Sequence, residues 1–221
     1  MRTKDLLIRT QRVAFQTLAN GFKSNRISHA YLISGSIEAS LKDMAMYLAK
    51  SLVCNKLEPL ACEECVNCQR IENNIYPDFI MIDGSKESIK KHQIEELQEA
   101  FSKVSLEVNG KKIYIIHLIE KATLGAVNSL LKFLEEPIDD VVAIITTQNI
   151  SKVLSTIISR CQRYDFTKIG VSDMMERVKY GLEAENIKYE EEAVRLVCQL
   201  ADGGMRDAWS IIDQVIAYSQ D

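Results

Sequence analysis

The stretch AYLISGSIEASLK, residues 30–42, decides the fold. Its first five residues, Ala30 to Ser34, form a short apolar run of the kind that predicts a strand buried on both faces. Gly35 ends the run, and a helical pattern begins shortly after it. A buried strand that passes through a glycine turn into a helix is the opening unit of a parallel sheet covered by helices.

Four more apolar runs follow the first, separated by helical patterns. They are Phe79 to Ile82, Ile113 to Leu118, Val141 to Thr147 and, more weakly, Gln162 to Phe166. The helical pattern is clearest ahead of Pro137, where apolar residues share one helix face: Val127, Leu130, Leu131 and Leu134. Strands that alternate with helices predict an α/β fold with a doubly wound, mostly parallel sheet.

The pattern changes after Phe166, where the sequence shows no further strand run. Helices are predicted instead at Ser172 to Asn186, Glu190 to Ala201 and Met205 to Tyr218. We therefore predict an α/β domain over residues 1–168 and a small all-helical domain over residues 169–221.

Composition is typical of a soluble globular protein. Of the 221 residues, 47% are hydrophobic and 26% are charged, which is enough for one large and one small domain. No apolar stretch reaches the roughly 18 residues of a membrane span, and the N-terminus lacks the apolar run of a signal peptide. We therefore expect a cytoplasmic protein with no membrane partner. The net charge of -4 argues against autonomous DNA binding, which usually requires clustered Lys and Arg.

Four of the six cysteines lie within residues 54–68. Two-residue spacers separate the last three, a geometry that lets successive thiolates point at one tetrahedral metal ion. Four thiolates would complete the shell and leave no open position for catalysis, so the pattern predicts a structural Zn²⁺ site. Its ligands would be Cys54, Cys62, Cys65 and Cys68.

Two other interpretations of these cysteines stay open: four free thiols, or a disulfide pair, which a reducing compartment disfavours. The remaining cysteines, Cys161 and Cys198, fall in apolar patterns and are expected in the core.

The turn after the first strand lies where a phosphate-binding loop would be, but its chemistry is missing. Such a loop needs several glycines, a lysine for the β and γ phosphates and a hydroxyl for Mg²⁺. Here Gly35 alone is retained, Leu41 stands at the lysine position and Lys42 at the hydroxyl position. Glu38 would also place a carboxylate against phosphate. We therefore predict a degenerate loop that does not bind ATP for catalysis.

The third strand shows the same loss. A nucleoside triphosphatase needs an aspartate here to hold Mg²⁺ and a glutamate to orient water, but the strand leads into His117 and Leu118. A lone histidine at a strand end is more often structural than catalytic, so His117 is interpreted as structural.

Several segments together resemble bacterial clamp-loader subunits, in the order in which that family has them. They are SHAYLISG (28–35), the four cysteines, NSLLKFLEEP (128–137), SRC (159–161) and GMRDA (204–208). Within the family, gamma/tau subunits keep an intact phosphate loop, whereas delta-prime subunits have a degenerate one. Leu41, Lys42, His117 and Leu118 depart from the gamma pattern, so the chain resembles the delta-prime branch.

The resemblance implies an AAA+ fold with a zinc module inserted after the first helix of the sheet and a three-helix lid at the end. It also implies a helical collar domain, for which residues 1–221 hold no sequence. Its implied partners are the gamma/tau and delta subunits, and through the assembled complex the sliding clamp and primed DNA. The chain would then be an accessory subunit of DNA polymerase III and no enzyme by itself.

Arg160 is the residue to which the resemblance gives a catalytic role. As an arginine finger it would reach the γ-phosphate bound by the adjacent gamma subunit, with Ser159 and Cys161 shaping its loop. On the residues alone, a salt bridge between Arg160 and Asp165 is an equally good interpretation.

Two further functions stay open at this stage. One is an active gamma-type ATPase, which Leu41 and Leu118 disfavour because apolar side chains cannot replace the lysine and the carboxylate. The other is a zinc-containing nucleic-acid-binding module, which the acidic balance disfavours.

Overall fold

The computed structural model describes residues 3–36, 41–103, 105, 107 and 110–218. Its centre is a five-stranded, fully parallel sheet of strand order β2-β3-β4-β1-β5. The strands are β1 Ala30–Gly35, β2 Phe79–Asp83, β3 Lys112–His117, β4 Val141–Thr147 and β5 Gln162–Phe166. All five lie within one residue of the predicted runs, and the predicted parallel sheet is confirmed.

Helices cover both faces of this sheet. Between or before the strands lie α1 Thr3–Thr10, α2 Arg12–Lys23, α3 Leu41–Val53, α4 Val66–Glu72, α5 Lys91–Ser102, α6 Leu124–Glu135 and α7 Ser155–Ile158. Alternate residues of a strand face opposite sides, so Ile33 joins the core under α3 while Leu32 joins the core under α5 and α6. The central strands β3 and β4 are buried along their whole length. The sheet is therefore doubly wound, as predicted.

The third strand ends one residue earlier than predicted. Leu118 lies in the left-handed region, with φ 60° and ψ 63°, and so cannot continue the strand. Its backbone N–H donates to Oγ1 of Thr146 at 3.0 Å, a contact with the neighbouring strand β4. The left-handed turn and this tertiary hydrogen bond mark the end of β3.

Three helices follow β5 and pack against one another: α8 Val171–Ala184, α9 Glu191–Leu200 and α10 Met205–Tyr218. Their shared core includes Met174, Val178, Val194, Cys198 and Ala208. Cys198 is fully buried there, as expected of a core cysteine. Among the described helices, none is both long and apolar enough to span a lipid bilayer.

Candidate metal centre and arginine site

The four clustered cysteines converge on one point. Cys54 follows α3, Cys62 and Cys65 lie in the loop before α4, and Cys68 is in the first turn of α4. Their four Sγ atoms all lie within 4.8 Å of one another. Cys54 Sγ is 3.6 Å from Cys62 Sγ and 3.9 Å from Cys65 Sγ.

These distances fit a tetrahedral thiolate site. Zn–S bonds of about 2.3 Å give sulfur–sulfur edges of about 3.8 Å, close to the two observed separations. A disulfide would instead require about 2.05 Å, and all four cysteines are free thiols in the structure. The donor set therefore fits zinc, and the disulfide interpretation is not supported.

Backbone amides already point at these sulfurs. The N–H groups of Lys56 and Cys62 each donate to Cys54 Sγ at 3.4 Å, and the N–H of Cys65 donates to Cys62 Sγ at 3.3 Å. Burial opposes ionisation of Cys65, but hydrogen bonds from backbone amides and neighbouring thiols lower its pKa to about 6. Burial raises the pKa of Cys54 and Cys68. Metal ligation requires thiolates, so a bound cation would stabilise the ionised form of all four cysteines.

The cysteine module is tied to α3 by groups that the sequence analysis did not identify. Lys50 is 7% exposed, and its Nζ lies 3.5 Å from Oε1 of Glu63 and also pairs with Glu72. The hydroxyl of Ser51 accepts from the N–H of Ala61 at 2.9 Å. A lysine on an otherwise buried helix face was the signal that could have revealed this anchor.

Near the phosphate-loop position, two charged side chains of the protein pair with each other. Lys42, in the first turn of α3, reaches Oδ2 of Asp83 at the end of β2, with a separation of 2.8 Å. Burial opposes ionisation of Asp83, but hydrogen bonds from Lys42 and Ser85 hold the pKa of its carboxyl well below the usual range. Leu41 is 2% exposed and belongs to the core. Glu38, which was predicted to repel phosphate, lies outside the described residues.

The side chains at the end of β3 are also buried. His117 is buried, and its Nδ1 lies 2.8 Å from Oγ1 of Thr146, the same hydroxyl that binds the N–H of Leu118. Burial lowers the pKa of His117. Leu118 is itself buried at 5% exposure, so it presents no polar group to a ligand. These contacts agree with a structural interpretation of His117.

Arg160 lies in the loop between α7 and β5 and is held at two points. Its Nη1 donates to the carbonyl of Thr156 at 2.8 Å, and its Nη2 donates to Oε1 of Glu135 at 2.8 Å. The side chain remains 33% exposed. Ser159 donates its hydroxyl to the same Thr156 carbonyl at 3.2 Å, and Cys161 is half-buried, which raises its pKa to about 12.

The salt bridge between Arg160 and Asp165 that the sequence allowed is not present in the structure. Asp165 accepts from Nε of Arg163 at 2.8 Å and from the hydroxyl of Ser34. Arg163 and Asp165 are two residues apart on one strand and therefore share a face. Arg160 precedes that strand and turns back to the end of α6 instead.

Arg160 and the phosphate-loop position lie at opposite ends of the sheet. In the register of β1 and β5, Tyr31 is level with Gln162, whereas Gly35 is level with Phe166. Gly35 is therefore four residues, or about 13 Å, beyond the start of β5, while Arg160 precedes that start. Arg160 is therefore well separated, along the strands, from the loop that follows Gly35.

Two family models match the chain. The one described as DNA polymerase III, delta subunit, matches residues 10–170. The one described as DNA polymerase III clamp loader subunit, ATPase lid domain, matches residues 173–221.

Two individual relatives are also subunits of DNA polymerase III. The chain is 44% identical over 161 residues to DNA polymerase III subunit delta' of Bacillus subtilis, a match that covers 73% of this chain and 49% of the relative. It is 36% identical over 211 residues to subunit tau of the same bacterium, covering 93% of this chain and 36% of the relative. The chain thus spans about half or less of these two relatives.

Among solved structures, the Thermotoga maritima RuvB Holliday junction branch migration motor is similar with a TM-score of 0.60 and 14% identity. The match covers 94% of this chain and 59% of that one. At this identity the likeness shows the fold alone; together with the match to an ATPase lid domain, it agrees with the expected AAA+ architecture.

Proposed function

The chain belongs to the clamp-loader family of DNA polymerase III, and we propose that it is a delta-prime-type subunit that hydrolyses no ATP itself. In this proposal it supplies Arg160 to the nucleotide of a neighbouring gamma/tau subunit. It works in the cytoplasm, where bacterial replication proteins act, and helps to load the sliding clamp on primed DNA.

The observation that carries the proposal is the contrast between the two ends of the sheet. At the carboxyl end, Lys42 pairs with Asp83 and Leu118 replaces the carboxylate that a hydrolytic site needs. At the amino end, the Arg160 side chain is one-third exposed, and contacts with the described residues engage two of its five N–H groups. A subunit whose own nucleotide position is blocked, but whose arginine is accessible to solvent, would act on a nucleotide that another subunit binds.

The proposal includes the division of the chain and its metal. We propose an α/β domain over residues 1–168 and a lid domain over residues 169–221, with a structural Zn²⁺ held by the four clustered cysteines. A closed four-thiolate shell leaves the metal no position for substrate. The zinc would therefore fix the loop between α3 and α4 and supply no chemistry.

An active gamma-type ATPase is the second candidate, because the match to subunit tau covers 93% of the chain and the match to delta' covers 73%. The side chains disfavour it. Leu41 is buried in the core at the lysine position, and the neighbouring Lys42 is already paired with the carboxylate of Asp83.

The test replaces Arg160 in a clamp loader reconstituted with its gamma and delta partners and the complete form of this subunit. Arginine fingers contribute roughly a thousandfold or more to turnover at the site they serve, so Arg160→Ala should nearly abolish clamp- and DNA-stimulated ATP hydrolysis at that one site. Arg163→Ala is the matched control, because it removes an exposed arginine from the adjacent strand. Equal turnover in both assembled variants would remove the proposed role.

A further inference from the structure

Arg160 has a carboxylate partner that neither the sequence patterns nor the comparisons assign to it. We propose that Glu135 is a positioning residue that holds the guanidinium of Arg160 in the orientation from which it reaches a neighbour's nucleotide. The inference rests on the proposed function of Arg160 and adds a second residue to it. Its basis is the 2.8 Å hydrogen bond from Nη2 of Arg160 to Oε1 of Glu135.

Both ends of this contact are anchored in the fold. Glu135 is the last residue of α6, whose preceding turn buries Phe133 and Leu134 in the core under the sheet. Thr156, which holds the other end of the guanidinium, is in α7 next to the buried Ile157. The two acceptors thus come from two different helices. Together they restrict the orientation of the planar guanidinium.

The geometry leaves Arg160 free to bind a further anion. An arginine has five N–H donors, and the two contacts occupy one on each terminal nitrogen. The Glu135 and Arg160 side chains are 49% and 33% exposed, so their mutual attraction is weakened by solvent. Glu135 can therefore orient the arginine without competing strongly with a phosphate, whose several oxygens accept bidentate hydrogen bonds.

Without Glu135, Arg160 would keep only the Thr156 carbonyl and sample other rotamers. A displacement of about 1 Å at a reacting centre can cost on the order of a hundredfold in rate. We expect a smaller effect here because one of the two contacts would remain.

The experiment compares Glu135→Ala, Glu135→Gln, Arg160→Ala and the Glu135→Ala/Arg160→Ala double variant in the reconstituted complex. Glu135→Ala should lower the rate of ATP hydrolysis at the site that Arg160 serves about threefold to tenfold and leave KM for ATP unchanged, because only the orientation of the arginine is lost. Glu135→Gln should recover most of the rate, since its amide oxygen can accept the same hydrogen bond. Glu136→Ala is the matched control from the next, exposed residue.

The double variant separates positioning from a structural role. If Glu135 acts through Arg160, the double variant turns over at the rate of Arg160→Ala alone. A double variant slower than Arg160→Ala, or a Glu135→Ala variant at the wild-type rate beside a slow Arg160→Ala, would overturn the inference and leave the role of Arg160 standing. A wild-type rate for Arg160→Ala itself would remove the proposed function, and the role of Glu135 with it.

Discussion

The two ends of the central sheet differ in how their charged side chains are used. At the carboxyl ends of the strands, Lys42 and Asp83 neutralise each other and His117 is buried against Thr146. At the amino ends, Arg160 is held by Glu135 and remains one-third exposed. The comparison teaches that the packing of the sheet does not dictate the chemistry at its ends, because apolar residues form the core of the sheet while these charged residues lie at its ends.

The largest expected effect concerns the cysteine module that follows α3. We predict that the purified chain binds one zinc ion and that Cys62→Ser abolishes binding. Metal sites contribute directly to folding, so the loss should lower the free energy of unfolding by about 4 kcal/mol or more. Metal analysis together with thermal unfolding in the presence of a chelator measures both effects.

Cys161→Ser is the control for this prediction, because Cys161 is half-buried and lies outside the cluster. It should keep the zinc. A Cys62→Ser variant with full zinc content would contradict the assignment of the four ligands.

A smaller effect is expected from the charge pair at the closed end. Lys42 holds the pKa of Asp83 below its ordinary value, so this pair contributes stability above the unfolded pKa of about 3.9 and loses it as pH falls towards the folded pKa. Lys42→Ala should raise the pKa of Asp83 towards that value and cost about 1 kcal/mol or less at neutral pH. Carboxyl NMR titration of both proteins measures the shift, and an unchanged pKa would show that Lys42 does not reach Asp83.

The smallest expected effect is that of ATP on the chain itself. A ligand at a hundredfold its Kd stabilises a protein by about 2.7 kcal/mol, which would raise Tm by several degrees. We predict no measurable rise with millimolar MgATP, because the lysine and carboxylate positions hold Leu41 and Leu118. A clear rise in differential scanning calorimetry would reopen the gamma-type alternative and weaken the contrast between the two ends.

Much of the fold could be predicted from sequence because it follows local patterns. The strands were located to within one residue from apolar runs, and spacing alone identified the cysteines whose sulfurs converge. The end of β3 was placed one residue too far, because the left-handed turn at Leu118 and its hydrogen bond to Thr146, 28 residues away, leave no local pattern in the sequence.

The partner of Arg160 was missed for the same physical reason. Asp165 was a candidate because it is near in sequence, but Glu135 lies 25 residues away and is brought close by the packing of α6 against α7. The contacts of Lys50 with Glu63 and Glu72 also depend on how the loop folds back over α3. Long-range polar pairs of this kind leave no periodic signal in the sequence.

The most direct test counts ATP molecules in the reconstituted complex, separating those bound from those hydrolysed in the first turnover. One arginine serves one neighbouring site, so Arg160→Ala should leave the number of bound ATP molecules unchanged and lower the number hydrolysed in the rapid phase by one per complex. Rapid-quench measurements with wild type beside the variant give both numbers. An unchanged rapid phase, in a complex that assembles and binds ATP normally, would contradict the claim that this chain acts on its neighbour's nucleotide.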